Sequence, residues 1–211
     1  MNTIILPGYT GYSEALALQE SLVQEQLNSD NAPSTLIMLE HEPIYTIGRT
    51  RDTSSLHQQN TLPHPAHTIN RGGQATYHGP GQLVGYPIIN LNHYRPDLHW
   101  YVTVLEQAII NTCQDWGIEA IRRESYVGVW VGSRKIASIG VGMKKWITMH
   151  GFALNVTQEC LSGFHHITPC GISGVEMTSM EQELAQCPTN FIQEVSDRWI
   201  IHFKSLLNQA L

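Results

Sequence analysis

Cys170 stands between Pro169 and Gly171 in the run Ile167-Thr168-Pro169-Cys170-Gly171-Ile172, on a segment that cannot continue as a regular helix. Proline fixes its own φ and biases the residue before it toward extended geometry, while a following glycine lets the chain turn with its backbone open. A thiol held on such a turn is displayed as a nucleophile would be. Most free cysteines are small buried hydrophobes instead, so the rest of the chain decides the reading. The chemistry has a clear requirement. A thiol with an ordinary pKa of about 8.5 is only a few per cent thiolate at neutral pH, so an adjacent ammonium or base must raise the reactive fraction.

Two further segments could meet that need. Arg71-Gly72-Gly73-Gln74-Ala75-Thr76-Tyr77-His78-Gly79-Pro80-Gly81-Gln82 sets four glycines among polar side chains, a density that lets backbone approach a ligand closely. It lacks the Gly-Lys-Ser/Thr ending of a phosphate loop, and Gly140-Val141-Gly142 has no third glycine for a dinucleotide fingerprint. No nucleotide site is indicated. Val129 to Gly140 reads as a hairpin turning at Gly132-Ser133, which puts Lys135 at the start of the return strand with its amine pointing one way.

The segments 71 to 82, Lys135-Ile-Ala-Ser-Ile-Gly140, Met149-His-Gly-Phe-Ala-Leu-Asn-Val156 and Ile167 to Ile172 together resemble the lipoyl(octanoyl) transferases, in order and spacing, over nearly the whole chain. Ala75 stands where that family more often has valine. The resemblance implies transfer of an octanoyl group from acyl carrier protein, through a thioester on Cys170, to a lysine of a lipoyl domain of a 2-oxoacid dehydrogenase or of the glycine cleavage H-protein. It implies Lys135 as the partner of Cys170. Arg71, Gly72, Gly73, Gln74, Ala75, Thr76, Tyr77 and His78, with Ser138, Ile139, Gly140, Gly151, Phe152 and Ala153, would line the acyl site. His150 is a possible positioning residue. The implied fold is that of biotin and lipoate ligases, and no cofactor or metal is called for.

Lys135 could serve that reaction in either protonation state. As an ammonium it favours the thiolate; as a desolvated amine it removes a proton. An acceptor lysine, with a pKa near 10.4, must also lose a proton before it can attack. Backbone amides beside Gly171 or in Gly72-Gly73 are candidate donors to the tetrahedral oxyanion. Thioester exchange is nearly isoenergetic and the final amide is downhill, so ATP is not needed.

Competing readings are an ATP-dependent lipoate or biotin ligase, against which the Pro169-Cys170-Gly171 element argues, and a cysteine hydrolase, which would ordinarily use a histidine partner. A zinc site from Cys160, His165, His166 and Cys170 is the weakest of the alternatives.

Composition narrows the class. The 211 residues suit one domain spanning 1 to 211, 42% hydrophobic content is ordinary for a soluble protein, and a formal charge of −6 disfavours nucleic acid. The start of the chain, with a short apolar run before Pro7, does not read as a secretory signal, and no run approaches the length of a membrane span; a cytoplasmic protein with reduced cysteines is expected. Carboxylates are absent between Asp52 and Asp97 and between Glu124 and Glu159. That pattern raises the expectation of positive potential near Cys170 and of a basic rim, including Lys144 and Lys145, for an acidic carrier.

Helices are expected at 13 to 28, at 101 to 116, and after a Thr189 cap, where Ile192, Val195, Trp199, Phe203 and Leu206 form a stripe suited to core packing. Strands are expected at 35 to 39, 43 to 47, 68 to 70, 75 to 78, 82 to 91, 126 to 131, 135 to 141 and 146 to 156, with a surface loop at 54 to 67. Consecutive strands with short turns and few helices make an α+β protein with a mostly antiparallel or mixed sheet flanked by helices.

Overall fold

Strands β2 (Thr35–His41) and β6 (Gln82–Ile88) are buried almost throughout, as expected of central strands covered on both faces. In a computed structural model, which describes residues 1–49, 55–56, 62–171 and 174–209 and only the main chain of Cys170, they pair antiparallel in the middle of a seven-stranded sheet. The other strands are β1 (Asn2–Thr10), β7 (Ala120–Arg123), β8 (Tyr126–Val131), β9 (Arg134–Lys144) and β10 (Ile147–Asn155), in the order β1-β2-β6-β10-β9-β8-β7. Only the β1–β2 pairing is parallel, so the sheet is mostly antiparallel as expected.

A second sheet sets β3 (Ile44–Ile47) between β4 (Ala66–Thr68) and β5 (Thr76–His78). Across the two sheets β1, β4 and β7 depart from the sequence reading, and β7 has no counterpart in it. β4 begins two residues before Thr68, inside the stretch read as loop, because its main chain pairs parallel with β3. Residues 54 and 57–61 of that loop lie outside the described residues. β1 went unread because Pro7 interrupts a short apolar run; at a sheet edge proline is tolerated, and the register shifts between Ile5 and Tyr9.

Helices cover both faces. α2 (Leu98–Asp115) starts where the Asp97 carboxylate accepts from the Trp100 amide at 3.0 Å. It packs with α4 (Phe191–Asn208) over one face, around Leu105, Ile109, Phe152, Trp199 and Phe203. The α4 stripe is core, as expected, but its cap residue is Asn190 rather than Thr189 and makes no side-chain cap bond. α1 (Tyr12–Asn28) covers the opposite face, against Ile37, Val84, Tyr86 and Ala153. A short helix, α3 (Met180–Glu183), follows the segment that carries Cys170. None of the described helices is long and apolar enough to cross a membrane.

Candidate active site

Lys135 sits on β9 just after the Gly132-Ser133 turn, as the sequence indicates, and is 1% exposed. Its Nζ donates to the Val127 carbonyl at 3.0 Å and lies 5.4 Å from the centre of the Trp130 ring. Arg123 covers the same ring at 5.1 Å. The main chain of Lys135 does something the sequence could not show. Its amide donates to Glu176 O at 2.8 Å and its carbonyl accepts from the Thr178 amide at 2.9 Å, so 176 to 178 pair with it as a short parallel bridge.

Cys170 lies six residues before Glu176 in the chain. Pro169–Gly171 forms one turn of 3-10 helix, closed by Gly171 N donating to Thr168 O at 3.0 Å. Ile167 bridges Leu56, and the Thr168 amide donates to Ser55 O at 2.7 Å, which fixes the entry to the turn. Gly171 has φ +67°, and a Cβ there would run into Gln74 Oε1. The glycine therefore serves both the turn and the contact between the two motifs. The Cys170 side chain, and residues 172 and 173, lie outside the described set.

Beyond Lys135 a trough runs over the α1 side of the sheet. Ser138 faces Ala153 across β9 and β10, and Gly140 faces Gly151, so four small residues leave space that larger side chains would fill. The resulting cavity is small and is roofed by Arg71, Gly73, Thr76 and His78. Ile139 and Phe152 border it as well, but the Phe152 ring turns to the other face, 4.2 Å from Trp199, so the main chain faces the cavity. His150 lines it too.

Four of the anticipated lining residues do not. Gly72 is used as a clasp, its amide donating to Val141 O at 3.2 Å; Gln74 meets Gly171; Ala75 and Tyr77 are buried with Tyr45, Phe164 and Ile167 in a separate apolar cluster. Alternation along β5 is the cause, since Thr76 faces the cavity and its neighbours must face away.

Tyr12 and Tyr86 line the cavity and were not read from the sequence. Nothing local marks them; α1 and β6 bring them in. The Arg71 guanidinium is anchored by bonds of 2.8 Å to Thr46 O, Thr46 Oγ1 and Gly72 O. His41, His78 and His150 are all buried. Burial lowers His41 and His150 to about 4, with the Arg71 charge adding to the effect at His150, and holds His78 well below its ordinary value. The wall is thus uncharged apart from Arg71.

Charge near Lys135 differs from the sequence expectation. Stretches free of carboxylate in sequence meet carboxylates in space: Arg134 makes a bidentate pair with Glu183 at 2.8 Å, and Glu106 accepts from the Gly128 amide at 3.0 Å. Lys144 and Lys145 lie at the opposite end of β9 from Lys135, nine and ten residues on, about 30 Å at roughly 3.3 Å per residue. They belong to no rim around the site.

The zinc reading also fails to assemble. Cys160 is buried, its thiol donates to Thr157 O at 3.1 Å, and burial raises its pKa, whereas His165 and His166 are exposed. Among the described residues no three His, Cys, Asp or Glu side chains are grouped to hold a metal. A larger open groove runs between β1 and the start of α4, and is lined by none of the anticipated site residues.

This sheet, with its covering helices, defines the fold shared by the lipoate and biotin protein ligases. The putative lipoate protein ligase Ta0514 of T. acidophilum superposes with a TM-score of 0.73 at 16% identity, covering 99% of this chain and 86% of that one. Biotin protein ligase from Aquifex aeolicus, in complex with biotin and ATP, gives 0.61 at 14% identity, covering 99% and 71%. Such distant likeness establishes the fold alone. The chain belongs to the lipoyl protein ligase A/B catalytic domain family, whose model matches residues 11–204. Among its relatives, an octanoyltransferase of Syntrophotalea carbinolica is 48% identical over 206 residues, covering 97% of this chain and 93% of that protein. An octanoyltransferase of Gloeobacter violaceus is 44% identical over 174 residues, covering 81% and 76%.

Proposed function

We propose that this chain is an octanoyltransferase that works through a covalent thioester on Cys170. The family and the curated relatives support octanoyl transfer. The thioester route is supported by the Pro169-Cys170-Gly171 turn, whose Gly171 packs on Gln74 of the glycine-rich segment, and by the buried Lys135, which pairs with 176 to 178 a few residues after the cysteine.

In the first half-reaction the Cys170 thiolate attacks the carbonyl carbon of octanoyl-acyl carrier protein. A new C–S bond forms, the carrier C–S bond breaks, and the carrier leaves as thiolate and takes up a proton. In the second, the ε-amine of a lysine on a lipoyl domain or H-protein attacks the enzyme thioester. The C–N bond forms, Cys170 leaves, and the proton lost by the amine passes to the site, with Lys135 as its acceptor. The octanoyl chain lies along Ser138, Gly140, Gly151 and Ala153 beneath Arg71 and Thr76. The reaction draws on no nucleotide, since both half-reactions spend only the carrier thioester.

Intact mass spectrometry after mixing with octanoyl-acyl carrier protein, without ATP, tests the reading. The expected product is one octanoyl adduct on the wild type and none on Cys170→Ala. Transfer that persists in Cys170→Ala refutes the covalent route.

A further inference from the structure

We infer that His150 and Tyr86 form the end wall that sets how long an acyl chain this site accepts, an inference that rests on the octanoyl-transfer reading. On β9 the cavity is lined by Ser138, Ile139 and Gly140 and does not reach Gly142. A Cβ on Gly142 would meet Asn70 O at 2.9 Å and His150 Cδ2 at 3.2 Å. At the same place the Gly72 amide donates to Val141 O at 3.2 Å, so the roof loop touches down on β9.

The length fits. On β9 the cavity is lined from Ser138 to Gly140, two residues or about 7 Å at roughly 3.4 Å each. Seven carbon–carbon bonds of about 1.5 Å, laid in a zigzag, reach roughly 9 Å. An octanoyl chain entering over Ser138 therefore already reaches His150 and Tyr86, and a dodecanoyl chain overshoots them.

The wall is also fixed in place. The His150 ring stands edge-on to Tyr86, with centroids 6.4 Å apart, and the His150 amide donates to Gln19 Oε1 of α1 at 2.8 Å. Tyr86 is 4% exposed, and its hydroxyl lies 2.7 Å from His41 Nε2 while His41 Nδ1 donates to Thr10 O at 2.9 Å. A neutral imidazole with Nδ1 committed to a carbonyl must accept at Nε2, so the tyrosine donates and cannot swing away cheaply. Residues 150 and 86 meet the chain end; His41 acts only by holding Tyr86.

The test is single-turnover loading of the enzyme with hexanoyl-, octanoyl-, decanoyl- and dodecanoyl-acyl carrier protein, read by intact mass. The wild type should load dodecanoyl more slowly than octanoyl by on the order of 10²-fold, since even one methylene too many in a closed pocket is worth about tenfold or more. Tyr86→Ala and His150→Ala should each raise the dodecanoyl-to-octanoyl ratio by about tenfold or more, a change of preference that general damage to the fold would not produce. Equal wild-type rates for octanoyl and dodecanoyl would overturn the inference without any variant. So would wild-type ratios in a folded Tyr86→Ala or His150→Ala that still loads octanoyl. A wild type that loads no chain at all would refute the transferase reading instead.

Discussion

Gly128 leaves the space that the end of the Lys135 side chain occupies: a Cβ at residue 128 would come within 2.7 Å of Lys135 Cε, 3.1 Å of Nζ and 2.6 Å of Ala137 O. Its φ of +123° is one that other residues rarely adopt. The amine is therefore placed by a backbone gap on the neighbouring strand as much as by its own rotamer. Gly128→Ala should cost more than about 1 kcal/mol of stability through the positive φ, and should displace the amine as well. Transfer should fall further than the stability loss explains. Urea titration and single-turnover rates on the folded fraction check this, and a variant less stable but as fast as wild type would show that the amine position is not critical.

Lys135→Arg separates a positive charge from a base. Arginine keeps the charge but cannot release its proton in this range. The variant should load octanoyl onto Cys170 and then stall, with adduct decay on adding lipoyl domain slowed on the order of 10²-fold or more. Wild-type rates in both half-reactions would remove the base role.

Lys144 and Lys145 stand far along β9 from the amine, on the turn into β10. Changing both to glutamate should leave the KM for octanoyl-acyl carrier protein, and its salt dependence, close to wild type. A clear rise in KM would mean the carrier reaches across the length of that strand.

Stability should depend on the buried histidines. His41 and His150 sit at about 4 in the fold, against an ordinary value of 6.5, chiefly because burial penalises their charged form. Between those values the unfolded chain binds protons that the folded chain refuses, so their stabilisation is complete above about 6.5 and is lost as pH falls toward 4. The urea midpoint should drop steadily over that window. His41→Gln can still accept from Tyr86 and donate to Thr10, and should flatten the slope by about one proton, roughly 1.4 kcal/mol per pH unit. An unchanged slope would show that His41 is not the titrating group.

Several candidate site positions and much of the framework are legible in the sequence. A Pro-Cys-Gly turn, a lysine just past a Gly-Ser hairpin and a glycine-rich segment are local signals, because turn geometry depends on the residues at the turn. The periodicity of α2 and α4 and the strands from 126 onward are local in the same sense. Tertiary structure decided what meets what. Lys135 and Glu176 are 41 positions apart and pair through main-chain atoms that carry no residue signature. Arg134 finds Glu183, which a reading of carboxylate-free stretches could not foresee. Tyr12, Tyr86 and His150 come from a helix and two different strands, and only sheet order and register set them around one cavity. Each would be an ordinary buried aromatic or histidine elsewhere. Their placement comes from long-range pairing, and register across a sheet is fixed by the packing of whole faces rather than by the residues that end up facing the cavity.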